Sequence, residues 1–148
     1  MKVSGTISAI LKGKKSEVWT IHPDATVFEA IKLMAEKNIG AVLVTENNRL
    51  VGVISERDYT RKVMLKGKTS RETKVREIFT TAPLTISPND SVDEAMREMS
   101  TNRVRHLPVV EGESIVGIVS IGDLVNWTIT AQDVAIDQLQ NYIHGNPA

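Results

Sequence analysis

The sequence predicts an α+β fold built from two copies of one β-α-β-β-α unit, packed sheet to sheet about a pseudo-two-fold axis. Three observations carry that expectation. Residues 20–58 and 85–123 register without a gap at a constant offset, so that Thr20/Thr85, Pro23/Pro88, Glu29/Glu94, Ala30/Ala95, Met34/Met99, Gly52/Gly117, Ser55/Ser120 and Asp58/Asp123 coincide. A repeat of this length means two supersecondary units, each too small to bury its own apolar face and therefore packed on the other. Within each copy the hydrophobic period changes from strand to helix to strand and back to helix, at matching places.

The elements follow in order. In the first copy Val18 to Ile21 reads as a short strand. T-V-F-E then puts Glu29 three residues after Thr26, the spacing of a capping box, and Val27, Ala30, Ile31 and Met34 give the helix one apolar face. Ala41 to Val44 is a compact buried strand, E-N-N-R a turn, Leu50 to Ile54 the returning strand, and Ser55 to about Lys66 a second helix. The second copy repeats this order. Ser91 and Glu94 have the capping-box spacing, Val92, Ala95, Met96 and Met99 form the stripe, and His106 to Val110 and Ile115 to Val119 are paired strands. Helices are also expected at about Thr6 to Leu11 and Ala131 to Ile143, the latter able to dock on a core or a second subunit. The expected organisation is an N-terminal helical segment (1–17), repeat 1 (18–66), a linker (67–82) holding the amphipathic turn V-R-E-I-F, repeat 2 (83–129) and a C-terminal helix (130–148).

Bulk properties exclude several function classes. The 148 residues suit one domain made of two half-domains, and 41% hydrophobic with 24% charged residues is ordinary for a globular protein. Eighteen basic residues balance eighteen acidic ones, which gives no general attraction to nucleic acid or to an anionic membrane. Cysteine is absent, which removes disulfides, thiolate nucleophiles and thiolate-bound zinc. The apolar runs are too short to cross a bilayer, and the N-terminus reads as structure and not as a signal peptide, so a cytoplasmic location is expected. His22 and His144 lack partners at metal-ligand spacing, and His22 is expected at a surface strand edge. Glu29 and Glu94 are cap residues, not an acid/base pair.

The chemistry lies in a duplicated string, G-V-I-S-E-R-D at Gly52 to Asp58 and G-I-V-S-I-G-D at Gly117 to Asp123. It stands at a strand-to-helix junction, where free N–H groups and the positive helix end favour a phosphate. Ser55 or Ser120 can add a hydrogen bond. Asp58 or Asp123, one turn later, can accept from both vicinal hydroxyls of a ribose. The same residues also make a plain serine N-cap, and Gly52 and Gly117 can equally mark close approach of another backbone. Both readings stand for each string, and their co-occurrence in both copies favours a nucleoside phosphate.

These strings, the T-I-x-P strands, the capped helices, S-E-R-D and R-H-L-P-V together resemble a pair of cystathionine-β-synthase (CBS) domains, a Bateman module, over about Val18 to Ile129. The resemblance implies a regulatory module with two clefts for adenine-containing ligands: AMP, ADP, ATP, NAD or S-adenosylmethionine. It implies a first cleft of Ser55, Arg57 and Asp58 with Val104, Arg105 and His106 and the segment from Phe79 to Leu84. A second would use Ser120, Gly122 and Asp123 with Ile39, Gly40, Ala41 and the segment from Ser16 to Trp19. The first gathers Arg57, Arg105 and His106, with Arg61 one turn on. The second has Gly122, Gly40 and Ala41 at the matching places and no cation there. Arginine is the better multi-donor phosphate ligand, so tighter binding of phosphorylated adenosine is expected at Asp58.

The leading expectation is therefore a non-enzymatic sensor that reports energy or redox state to an unidentified effector through an adenine nucleotide, without a catalytic cofactor or a metal. Such modules commonly form homodimers, and a homodimer is expected here. The alternatives are a ligand-independent assembly module and a nucleotide-processing enzyme, for which the sequence offers no nucleophile or poised base.

Overall fold

A computed structural model gives the structure, described for residues 5–14, 17–81 and 83–143. Ser16, Ala82 and His144, each read from the sequence above, lie outside the described residues. The chain forms two compact units, one of residues 17–85 and 108–118, the other of residues 1–16, 86–107 and 119–148.

The first unit carries a four-stranded sheet in the order β1-β2-β3-β4, with β1 Thr20–Ile21, β2 Ala41–Glu46, β3 Arg49–Ser55 and β4 Thr80–Thr81. β1 runs parallel to β2, while β2–β3 and β3–β4 are antiparallel. The β2–β3 turn consists of Asn47 and Asn48, both at positive φ (53° and 62°). A two-residue loop with both residues left-handed matches the twist of its strands, and asparagine tolerates that backbone. Helix α2 (Val27–Lys37) opens with the expected capping box between Thr26 and Glu29 and ends on Asn38, which is left-handed. Its buried Val27, Ala30 and Met34 pack in one core with Val42, Val44, Ile54, Val63, Val75 and Ile78. The helix after β3 is an α turn, α3 (Glu56–Tyr59), that widens into a π turn at Thr60–Met64, where the Leu65 N–H reaches the Thr60 carbonyl at 3.1 Å.

In the second unit, α1 (Ile7–Lys14) buries Ile7 and Ile10, and α4 (Val92–Asn102) buries Val92, Ala95 and Met99. Ser91 caps α4 by accepting from the Glu94 N–H at 3.1 Å, so the forward half of the expected capping box is present. α4 ends on left-handed Arg103, the counterpart of Asn38. Strands β5 (His106–Glu111) and β6 (Ser114–Ser120) form a two-stranded sheet whose outer residues, 108–118, fall in the first unit. The strand expected at the start of repeat 2 is reduced to a single bridging residue, Ile86. α5 runs unbroken from Ile121 to Ile143, so the C-terminal helix expected from Ala131 is a continuation of the repeat's own second helix.

Each unit completes its repeat with a segment from outside it, in the same way. In the first unit the Val27 N–H donates to the Thr73 carbonyl, Val75 N–H to Ala25 and Arg76 N–H to Pro23, at 2.8, 2.8 and 2.7 Å. In the second, Val92 N–H donates to Gly5, Ile7 N–H to Asp90 and Ser8 N–H to Pro88, at 3.1, 3.0 and 2.9 Å. The former segment is the linker before repeat 2, and the latter is the stretch before repeat 1. The linker is further pinned by Arg76, whose guanidinium meets Asp24 at 3.0 Å and Glu46 at 3.5 Å. The Arg76 hydrogen bond holds the exposed Asp24 carboxyl below its ordinary pKa.

Gly52 owes its identity to this linker. A Cβ there would strike the Phe79 ring and stand 2.5 Å from the Thr80 carbonyl oxygen. Gly13, in α1, has open space at the same test. Gly52→Ala is expected to lower stability by about 1–3 kcal/mol through overpacking. Gly13→Ala, which only removes backbone freedom from a helix, should raise it by up to about 1 kcal/mol. Urea unfolding of both variants checks the pair, and equal or reversed effects would contradict the close approach.

Candidate functional site

The two Ser-x-x-Asp strings fold alike. Ser55 leaves β3 extended (φ −125°, ψ 166°) and becomes the N-cap of α3. Its N–H donates to Asp58 Oδ2 at 2.9 Å, and its Oγ accepts from the Asp58 N–H at 3.2 Å. At the end of β6 the Ser120 N–H donates to Asp123 Oδ2 at 2.9 Å, and Ser120 Oγ accepts from the Asp123 N–H at 3.1 Å. The capping reading is thus realised in both copies. It also fixes each aspartate, with one carboxylate oxygen held on the cap.

The strand residues of each repeat meet its own junction. The Glu56 N–H donates to the Gly40 carbonyl at 3.1 Å, and Ala41 stands opposite Ser55 in the β2–β3 register. In repeat 2 the equivalent bond runs from the Ile121 N–H to the Arg105 carbonyl at 2.8 Å. Of the residues read from sequence, the first unit holds Trp19, Ile39, Gly40, Ala41, Ser55, Arg57, Asp58 and Leu84. The second holds Val104, Arg105, His106, Ser120, Gly122 and Asp123. Trp19 is half-buried and carries the Lys37 ammonium 4.2 Å from its ring centroid, a cation–π contact. Among the described residues no ion pair engages Arg57, Arg61 or Arg105, so these guanidinium groups stay available to an anion. His22 is exposed, directly after β1, and its Nδ1 accepts from the Asp24 N–H at 3.0 Å.

Two lysines at the aspartates escape the sequence reading. Lys62 Nζ lies 3.0 Å from Asp58 Oδ1 and also donates to the Ile78 carbonyl at 2.9 Å. The i,i+4 spacing of Asp58 and Lys62 is a signal that could have found it. Lys14 Nζ lies 2.8 Å from Asp123 Oδ2, with both side chains largely buried. Gly122, Gly40 and Ala41, the counterparts of Arg57, Arg105 and His106, carry no charge, but α1 brings a cation to Asp123 from 109 residues away. Only the docking of α1 on repeat 2 reveals it, and no local spacing encodes that.

His106 sits in the same cluster. Burial pushes its pKa below the ordinary 6.5, Lys14 and Arg105 push it further down, and Asp123 opposes them. The imidazole is therefore neutral near pH 7, able to donate one hydrogen bond but bringing no charge.

The family comparison bears directly on these duplicated junctions. The CBS-domain model matches residues 11–65 and 75–129. The chain belongs to the CBS-domain family. It is 38% identical over 152 residues to the mitochondrial CBS domain-containing protein CBSX3 of Arabidopsis thaliana, covering 96% of this chain and 73% of that protein. A solved CBS-domain structure from Burkholderia ambifaria is 43% identical with a TM-score of 0.82, covering 85% of this chain and 95% of that one. The CBS domain pair of protein MJ0100, solved with 5′-methylthioadenosine and S-adenosylmethionine, is 26% identical with a TM-score of 0.74, covering 83% of this chain and 94% of that one. CBS-domain proteins are regulatory modules, and the two matched stretches end just beyond the two Ser-x-x-Asp junctions.

The His106 environment sets a pH dependence. Its folded pKa is lowered, so between that value and 6.5 the unfolded chain binds more protons than the folded one. Stability is full above about pH 6.5 and falls as the pH drops through that window. His106→Gln is expected to flatten this part of the profile. Urea midpoints between pH 7.5 and 5 check it, and an unchanged slope would remove His106 from the account.

Proposed function

We propose that this chain is an adenine-ligand sensor whose contacts are the Ser55–Asp58 and Ser120–Asp123 junctions. Each ligand would also touch strand residues of the other repeat, as the family resemblance implies. The duplicated, cap-fixed Ser–Asp pair carries the reading, because it aims a carboxylate and a hydroxyl from the start of a helix, the arrangement a ribose phosphate needs. The adenosine ligands of the MJ0100 domain pair support the ligand class. AMP, ADP, ATP, NAD and S-adenosylmethionine are the candidates, the last being one of the ligands in that relative's structure. No catalytic step is part of the proposal. Ligand acts by stabilising one arrangement of the module over another, which an effector protein then reads.

Asp58 with Arg57, Arg105 and His106 is the tighter phosphate contact in this proposal. Two unpaired guanidinium groups outweigh the single lysine that reaches Asp123, because arginine offers more donors in a fixed fork. The partner is a second copy of this chain, and the compartment is the cytoplasm, although the name of CBSX3 puts that relative in the mitochondrion.

Titration calorimetry with AMP, ADP, ATP, NAD and S-adenosylmethionine tests the reading. Asp58→Ala is expected to weaken AMP or ATP binding by about 10–100-fold, the worth of charged hydrogen bonds, and Asp123→Ala by less. Bound ligand should also raise the melting temperature, since it binds only the folded chain. Absence of heat with all five ligands would favour a ligand-independent assembly module, and a larger loss from Asp123→Ala would reverse the ranking.

A further inference from the structure

α5 outgrows the unit that holds it. Leu124 is fully buried, and Trp127, Thr128 and Ala131 are partly covered, an i, i+3, i+4, i+7 face turned toward the unit. From Gln132 to Ile143 every residue is exposed. A helical stretch of that length is marginal alone in water, since isolated helices below about 12–15 residues depend on tertiary packing. Its composition makes a solitary state still less favourable, with Ile136, Leu139, Tyr142 and Ile143 all exposed.

The exposed apolar residues are spaced for another helix. Val125, Ile129, Gln132, Ile136, Leu139 and Ile143 follow one another at steps of 4, 3, 4, 3 and 4, a heptad seam. The five apolar members are 44–68% exposed. Ile129, Ile136 and Ile143 take the a positions, and Val125 and Leu139 take d, with Gln132 as a single polar d residue. β-Branched residues at a with leucine at d favour a parallel two-stranded coil, a pattern met here at all three a positions and, at d, by Leu139.

Charge placement selects the orientation. Between Leu124 and Ile143 the helix carries two charged side chains, Asp133 and Asp137, and no basic one. Asp137 is at an outer b position and Asp133 at e. In a parallel coil, Asp133 would lie beside Thr128 of the partner subunit, which is uncharged. In an antiparallel coil the e positions face each other, and the two Asp133 carboxylates would meet near the centre. We propose that the Val125–Ile143 face of α5 pairs with the same face of a second copy of this chain as a parallel, in-register coiled coil. This deepens the homodimer named above and does not depend on nucleotide.

Light scattering after size exclusion on the full chain tests the seam. The wild type is expected to be a dimer, and Ile136→Asp with Leu139→Asp to weaken it at least tenfold. Val134→Asp, at an equally exposed position off the seam, should leave it unchanged. Because the chain lacks cysteine, Leu139→Cys reports orientation, and oxidation should link the two copies through this residue. A monomeric wild type overturns both this seam and the homodimer. A dimer that survives the double aspartate change overturns the seam alone, and a dimer that does not cross-link at Leu139→Cys overturns the parallel register. Nucleotide calorimetry on the double variant separates this proposal from the ligand reading, since binding there should persist.

Discussion

Helix α2 begins with five amide groups that all find acceptors, and two of those acceptors come from outside the repeat. Thr26 N–H goes to the Glu29 carboxylate, Glu29 N–H to Thr26 Oγ1 and Ala30 N–H to the Thr26 carbonyl. Val27 and Phe28 donate to Thr73 and Ser70. A helix start has four amides with no intrahelical partner, and here one of them belongs to the fully buried Val27. Leaving that buried amide open would cost about 1–3 kcal/mol. The linker is thus a structural part of the first unit, and residues 5–8 hold the same office for α4. Phe79 on Gly52 and the pairing of β3 with β4 belong to the linker segment attached in this way, and α1 beside Asp123 to the N-terminal one.

The same economy applies to the Ser-x-x-Asp strings, where capping and ligand contact are not competing explanations. A cap holds the aspartate in one rotamer with one oxygen engaged, and a ligand contact needs a carboxylate that does not have to be ordered on binding. The closed caps at Asp58 and Asp123 supply that ordering during folding. A string that serves the helix start is therefore also prepared for a sugar.

Much of this was legible in the sequence because it is local and periodic. The helices at Val27 and Val92, the paired strands, the Asn47–Asn48 turn and the Ser55 cap were read from spacing alone and lie within one or two residues of their observed bounds. The family was legible from the same strings. What escaped is non-local or depends on small differences in packing. The π turn at Thr60–Met64 has no counterpart in α5, although both helices start from the same string. β4 leaves no signal in the linker, because two residues, Thr80 and Thr81, are too few to show alternation. The sequence shows a break near Ala131 because the inward face of α5 ends there while the helix does not. Lys14 was invisible because α1 belongs, in space, to the repeat that lies farther along the chain.

That last displacement makes the two aspartates unequal in a way their identical strings conceal. Asp58 meets Lys62 across one helical turn, so the pair forms whenever residues 56–64 are helical, and its lysine remains nearly half exposed. Asp123 meets Lys14 only after a three-segment unit has assembled, and Lys14 is more buried there than Lys62 is beside Asp58. Screening by solvent weakens the first pair more than the second. Whatever loosens α1 therefore removes the cation from Asp123, and with it a charge that depresses His106. The N-terminal segment thus supplies a cation to the second junction that the second repeat's own sequence does not carry.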